Sequence, residues 1–208
     1  VPYSIQTHLY SSTSSIGITL FPKQAEGTED LLREADTAMY RAKDMGRNRI
    51  RFYEAAMQAD VQERLALEQD LKNAHAQGQL SAFVQSQVNT AGVVIGGELL
   101  MRWNHPKRGW ISPAKFVPIA EDAGLIDRMG QWALRTACAD LARWPRSIRC
   151  AVNVSALQFA NPELPTIVAN ALAHAGVAPS RLELEITESV FLNDNSGTDA
   201  MFKALKRV

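Results

Sequence analysis

Between Ser14 and Phe21 the chain is β-branched and apolar, and Pro22 closes the run, which predicts a strand. Helical spacing follows. Leu31, Leu32, Ala35, Ala38, Met39 and Ala42 share one face, Thr28 is placed to cap the start, and Gly46 to stop the helix. Glu29 and Asp30 in the first turn suit the helix dipole. Arg49 to Tyr53 reads as a short closing strand. A strand–helix–strand unit of this size cannot bury its own faces, which predicts further structure in front of it.

From Ala55 to Ala76 an alanine-rich stretch carries Met57, Val61, Leu65 and Leu71 on one side, with Glu68 and Lys72 as a favourably oriented i,i+4 pair and Gly78 at its end. A long helix between two α/β units is a natural semi-rigid connector, so the domain boundary falls near it. The pattern then changes to strands alternating with helices. Phe83 to Asn89 and Val93 to Trp103 are strand-like, joined by a turn at Thr90-Ala-Gly92. Pro113 to Ala123 and Ile126 to Trp144 read as helices, Cys150 to Ser155 as a strand, Leu164 to Ala175 as a helix and Arg181 to Thr187 as a strand. Repeated βα units indicate a parallel-rich sheet or a barrel.

Composition narrows this picture only a little. With 22 Lys+Arg against 22 Asp+Glu, no overall field steers the chain toward nucleic acid or an anionic membrane. No apolar run approaches the ~20 residues that cross a bilayer as a helix. Cys138 and Cys150 are the only cysteines and lack metal-type spacing, which suits a reducing, cytoplasmic compartment. A membrane anchor elsewhere in a longer parent stays open.

Three strands carry polar groups where a buried strand should be apolar. In Arg181-Leu-Glu-Leu-Glu-Ile-Thr187, Glu183, Glu185 and Thr187 face away from Leu182, Leu184 and Ile186. Asn153 and Ser155 share a face opposite Val152 and Val154, and Glu98, Leu100 and Arg102 share another. Carboxylate and amide oxygens converging from separate strands make a hard-cation site for Mg²⁺ or Mn²⁺, and barrel sites lie at C-terminal strand ends. Each piece also has a plainer reading. Glu183 suits a solvent-facing position, Asn153 alone suits a turn or a satisfied core amide, and Glu98 with Arg102 suits a surface charge pair.

Read together, the motifs are specific. Gly97-Glu-Leu-Leu-Met-Arg-Trp-Asn-His-Pro106 resembles the signature strand of EAL-domain cyclic-di-GMP phosphodiesterases. Ile111 to Ile126, Asn153-Val-Ser-Ala-Leu-Gln158 and Leu184-Glu-Ile-Thr-Glu-Ser189 match the family's next elements in order. Upstream, Ser15-Ile-Gly-Ile18 with Ala35 to Asn48 is similar to the C-terminal end of GGDEF diguanylate cyclase domains. The resemblance implies an α/β chain: a GGDEF remnant over residues 1–54, a linker helix over 55–78, and the first part of a (β/α)₈ TIM-like barrel over 79–208. Residue by residue it implies Glu98, Asn153 and Glu185 as ligands of one catalytic Mg²⁺ or Mn²⁺, Gln85 near metal and phosphate, Arg102 on a substrate phosphate, and Leu100 against the substrate. It implies that Glu188 holds a catalytic loop. Lys43 matches a phosphate-contacting GGDEF lysine and equally suits a helix-end cation.

The implied reaction is hydrolysis of cyclic di-GMP to linear pGpG by divalent-metal-assisted water attack. The rival is an EAL module that binds cyclic di-GMP as a receptor without cutting it. A homodimer through either domain is compatible with the family, and no nucleic-acid partner is implied. Two departures stand out. The central alanine of the signature is Leu99 here, pointing away from the Glu98 face. Met57 to Val208 also falls well short of the ~250 residues of a typical barrel, so the family's paired aspartates and second metal site are expected beyond Val208, and the chain alone is expected to be inactive.

Overall fold

The computed structural model describes residues 3–5, 8–10, 12–21, 27–186, 190 and 196–208. They divide into two compact units, Val1–Ala66 and Leu67–Val208.

In the first unit β1 (Tyr3–Ile5) and β2 (His8–Tyr10) form an antiparallel pair. β3 (Ile16–Ile18), α1 (Thr28–Asp44) and β4 (Ile50–Phe52) form a parallel βαβ crossover. Gly17 is required there by space. A Cβ on it would lie 2.0 Å from the Ala35 carbonyl oxygen and 2.3 Å from the Met39 nitrogen, so only glycine lets α1 lie directly on β3. Of the predicted strand, Phe21 stands 72% exposed in a turn and only Ile16–Ile18 is extended. The N-cap is Gly27 rather than Thr28, which is the first helical residue. The buried stripe of α1 is Glu34, Thr37, Ala38 and Ala42; Leu32 lies on its flank in solvent. Glu34 is buried because the Thr19 hydroxyl donates to its carboxylate at 2.5 Å.

α2 (Ala55–Ala74) runs across the division between the units. Its buried positions are Leu67, Leu71 and Ala74, an i, i+4, i+7 stripe, while the predicted Leu65 is exposed. The Glu68–Lys72 pair closes at 2.9 Å.

The second unit is built on a sheet ordered β5–β6–β8–β9. β5 (Leu80–Val88) pairs antiparallel with β6 (Val94–His105), and β6 runs parallel to β8 (Arg149–Val154), which runs parallel to β9 (Leu182–Ile186). The described strands form an open sheet rather than a closed barrel. β7 (Gly109–Ile111) pairs with the far end of β6. Trp103 pairs with Leu80 on one side and Ile111 on the other, so β7 lies on the edge of β6 that β8 uses further back. Between those two partners the Leu100–Arg102 stretch has no strand neighbour on that edge among the described residues, and the sheet opens there.

Helices α3 (Pro113–Asp122), α4 (Ile126–Arg143), α5 (Ala156–Phe159), α6 (Leu164–Ala175) and α7 (Ser196–Leu205) complete the unit. One core packs Leu99, Val152 and Val154 of the sheet against Leu134, Cys138 and Leu141 of α4 and Val168 of α6. Leu99 is 3% exposed, so the leucine in place of the family's alanine fills this core and stays off the Glu98 face. A second core joins Leu67 and Leu71 of α2 to Trp103, Phe116 and Met129. Its polar edge is closed by His105, whose Nδ1 accepts from the Lys107 backbone N–H at 3.1 Å while Nε2 donates to Asp70 at 2.9 Å.

Candidate functional site

Period-two alternation puts Glu98, Leu100 and Arg102 on one face of β6, with Leu99 and Trp103 on the other. Registry then brings in the neighbouring strands. Gln85 lies directly opposite Glu98, Glu98 pairs with Ala151, and Asn153 pairs with Glu185. Asn153 Nδ2 donates to Glu98 Oε1 at 2.7 Å. Four of the predicted residues, Gln85, Glu98, Asn153 and Glu185, thus occupy adjacent positions on three parallel strands and the antiparallel strand that flanks them. Glu188 lies outside the described residues.

Charge is concentrated here. Glu185 is half-buried, and its carboxyl is raised above the usual carboxylate range, first by burial and then by the nearby charges of Glu98 and Glu183. Its neighbour on the same face behaves differently: Glu183 pairs with Arg149 at the surface. Among the described residues no three His, Cys, Asp or Glu side chains cluster as a metal site; this set holds two carboxylates and an amide. Those are hard oxygen donors of the kind Mg²⁺ and Mn²⁺ take. Rotating the Asn153 amide about χ2 exchanges its nitrogen for its oxygen and makes it a third oxygen donor.

The turn after Asn153 is held by a capping box. The Gln158 backbone N–H donates to the Ser155 hydroxyl at 3.3 Å, and the Ser155 N–H donates to Gln158 Oε1 at 3.1 Å. Gln158 is buried against Gly130 of α4, where a Cβ would fall 1.7 Å from its Nε2. The Ser-x-x-Gln spacing was readable in the sequence, but the partner glycine was not.

Arg102 does not touch Glu98. Its guanidinium donates to the Met101 carbonyl at 3.3 Å and sits over the Phe83 ring, 5.8 Å from the centroid. Leu100 and Glu98 line a cavity of about 620 Å³ that also reaches Asn153, Val117 and Glu121 where the sheet opens.

Comparison with known proteins finds two family models along the chain. The EAL domain model matches residues 68–208, and the model described as diguanylate cyclase, GGDEF domain, matches residues 1–49. The bifunctional diguanylate cyclase/cyclic di-GMP phosphodiesterase MucR of Pseudomonas aeruginosa is 43% identical over 198 residues, covering 93% of this chain and 29% of MucR. The cyclic di-GMP phosphodiesterase NbdA of the same organism is 32% identical over 212 residues, covering 100% of this chain and 27% of NbdA. The solved structure of PaMucR phosphodiesterase in complex with c-di-GMP superposes with a TM-score of 0.64 at 40% identity, covering 68% of this chain and 58% of that one. The chain spans less than a third of the length of these curated relatives. With the family model covering the whole second unit but one residue, and with the signature strand, the Asn153 strand and the Glu185 strand in register, the chain belongs to the EAL domain family and carries the end of a GGDEF domain in front of it.

Proposed function

We propose that the parent of this chain hydrolyses cyclic di-GMP to linear pGpG. The observation that carries this reading is the junction of Glu98, Asn153 and Glu185 across adjacent parallel strands, with the Asn153 amide 2.7 Å from the Glu98 carboxylate. The names and the bound ligand of the 43% and 40% identical relatives support the same substrate.

Glu98, Glu185 and the turned Asn153 amide would hold a Mg²⁺ or Mn²⁺ ion. When bound, such an ion lowers the pKa of a coordinated water and offsets charge developing on the phosphate oxygens. Gln85, opposite Glu98, offers an amide toward the same phosphate. Arg102 supplies a permanent cation two residues beyond Leu100 on the Glu98 face, suited to a second phosphate oxygen. Leu100 closes the floor and limits water around the reacting ester.

The test is full-length protein with cyclic di-GMP and Mg²⁺, followed by chromatography of the nucleotides. Accumulation of pGpG is expected. Tight binding without turnover would reassign the protein as a receptor, and neither binding nor turnover would end the proposal.

A further inference from the structure

Phe83 and Trp110 are large aromatic side chains that no core cluster of the second unit takes in. Their positions are set by register. Phe83 of β5 lies opposite Leu100, and Trp110 of β7 lies opposite Asn104, so both stand on the face of β6 that carries Glu98, Leu100 and Arg102. β5 and β7 flank β6 on opposite edges, yet the two rings meet above it edge-to-face, with centroids 5.5 Å apart and planes at 71°. The Arg102 guanidinium packs over Phe83 from the same face. Leu100, the strand partner of Phe83, is two residues from Glu98, or ~7 Å along a strand, which is within the span of one nucleoside.

We propose that Phe83 and Trp110 form an aromatic shelf beside Arg102 on which one purine base of the bound nucleotide stacks; this rests on the reading of the site as one for cyclic di-GMP. The chemistry suits a nucleotide. An aromatic ring face held by an edge-to-face partner next to a guanidinium, on the face that carries Glu98, pairs a surface for one base with a cation for a phosphate.

The test is steady-state kinetics of the full-length protein, with Kd in place of KM if the protein binds without turnover. Phe83→Leu and Trp110→Leu keep apolar bulk and remove the stacking surface. Each is expected to raise KM for cyclic di-GMP about 5- to 150-fold, with the loss falling mainly on KM. Trp110→Phe should restore most of the affinity. Inhibition by inorganic phosphate, which has no base, should keep its wild-type strength in all variants. An unchanged KM in both leucine variants overturns the shelf while leaving the phosphodiesterase reading intact, as does an equal loss toward inorganic phosphate. A wild-type protein with no affinity for cyclic di-GMP overturns the functional reading and the shelf with it.

Discussion

Asn153 and Glu98 stand 55 positions apart in the chain and meet as amide and carboxylate at 2.7 Å. Their strands are parallel neighbours, and on the far side of Asn153 its register partner is Glu185. The amide thus bonds one carboxylate and pairs in register with the residue that bears the other, and the two carboxylates stay close enough for Glu98 to raise the Glu185 carboxyl.

Replacing Glu98 with glutamine keeps the size and the sheet but removes one anionic donor. Glu98→Gln in the full-length protein should lower the rate of pGpG formation on the order of 10³-fold, the loss expected when several kcal/mol of charge stabilisation are withdrawn. Circular dichroism should be unchanged. A variant cleaving at the wild-type rate would remove Glu98 from the site.

The two glutamates of β9 should separate sharply. Glu185→Ala should abolish nearly all turnover, because Glu185 is the register partner of Asn153. Glu183→Ala loses only an exposed pair with Arg149, a change of about 0.2–1 kcal/mol in stability with a rate close to wild type. Equal rate losses in two folded variants would contradict this arrangement.

Glu185 also sets a pH dependence of stability. Its raised carboxyl means that the metal-free fold favours the neutral form, so its contribution is fully present below the ordinary carboxylate range and is lost as pH rises through the raised value. At pH 8 without divalent cations, Glu185→Gln should therefore melt higher than the wild type, and the gap should shrink as pH falls. A variant that melts lower at pH 8 would show that burial and the charges of Glu98 and Glu183 do not disfavour the ionised carboxyl.

Cys138 and Cys150 are fully buried, and burial pushes both thiols up to about 11. Unfolded thiols ionise near 9, so the fold loses stability as pH climbs from about 9 to about 11, by roughly 2–3 kcal/mol per thiol. Both should resist alkylation at pH 8 until the protein unfolds. Chemical denaturation across pH 8 to 11 should show the loss, and Cys138→Ala with Cys150→Ala should flatten it. A pH-independent midpoint in the wild type would count against it.

Gly130 and Gln158 should be coupled. Gly130→Ala alone pushes Gln158 out of its capping box and should destabilise by about 1 kcal/mol. In a Gln158→Ala background the same change no longer meets the Gln158 amide and should stabilise by about 0.5–1 kcal/mol through helix propensity. Denaturant melts of the four proteins give the coupling; additive effects would mean that Gln158 does not occupy the Gly130 hollow.

Much of this was legible in the chain itself. Strand and helix types, their order, and the alternation that separates Glu98 from Leu99 or Asn153 from Val154 are local properties of period and turn chemistry, and the ordered motifs carried the family. What failed locally failed for a tertiary reason. Leu32 and Leu65 have helical spacing yet lie in solvent, because which flank of a helix is buried depends on what packs there, and for α2 that is the stripe of Leu67 and Leu71 against Trp103 and Phe116. Glu183 and Glu185 share a face and a periodicity; only the alignment of β9 on β8 pairs one with Asn153 and leaves the other to Arg149. The meeting of Phe83, Arg102 and Trp110 above β6 is of the same kind. Alternation fixes a side chain's face from its own strand alone, whereas register is set by packing between segments far apart in sequence, and in this protein it is register that assembles the site.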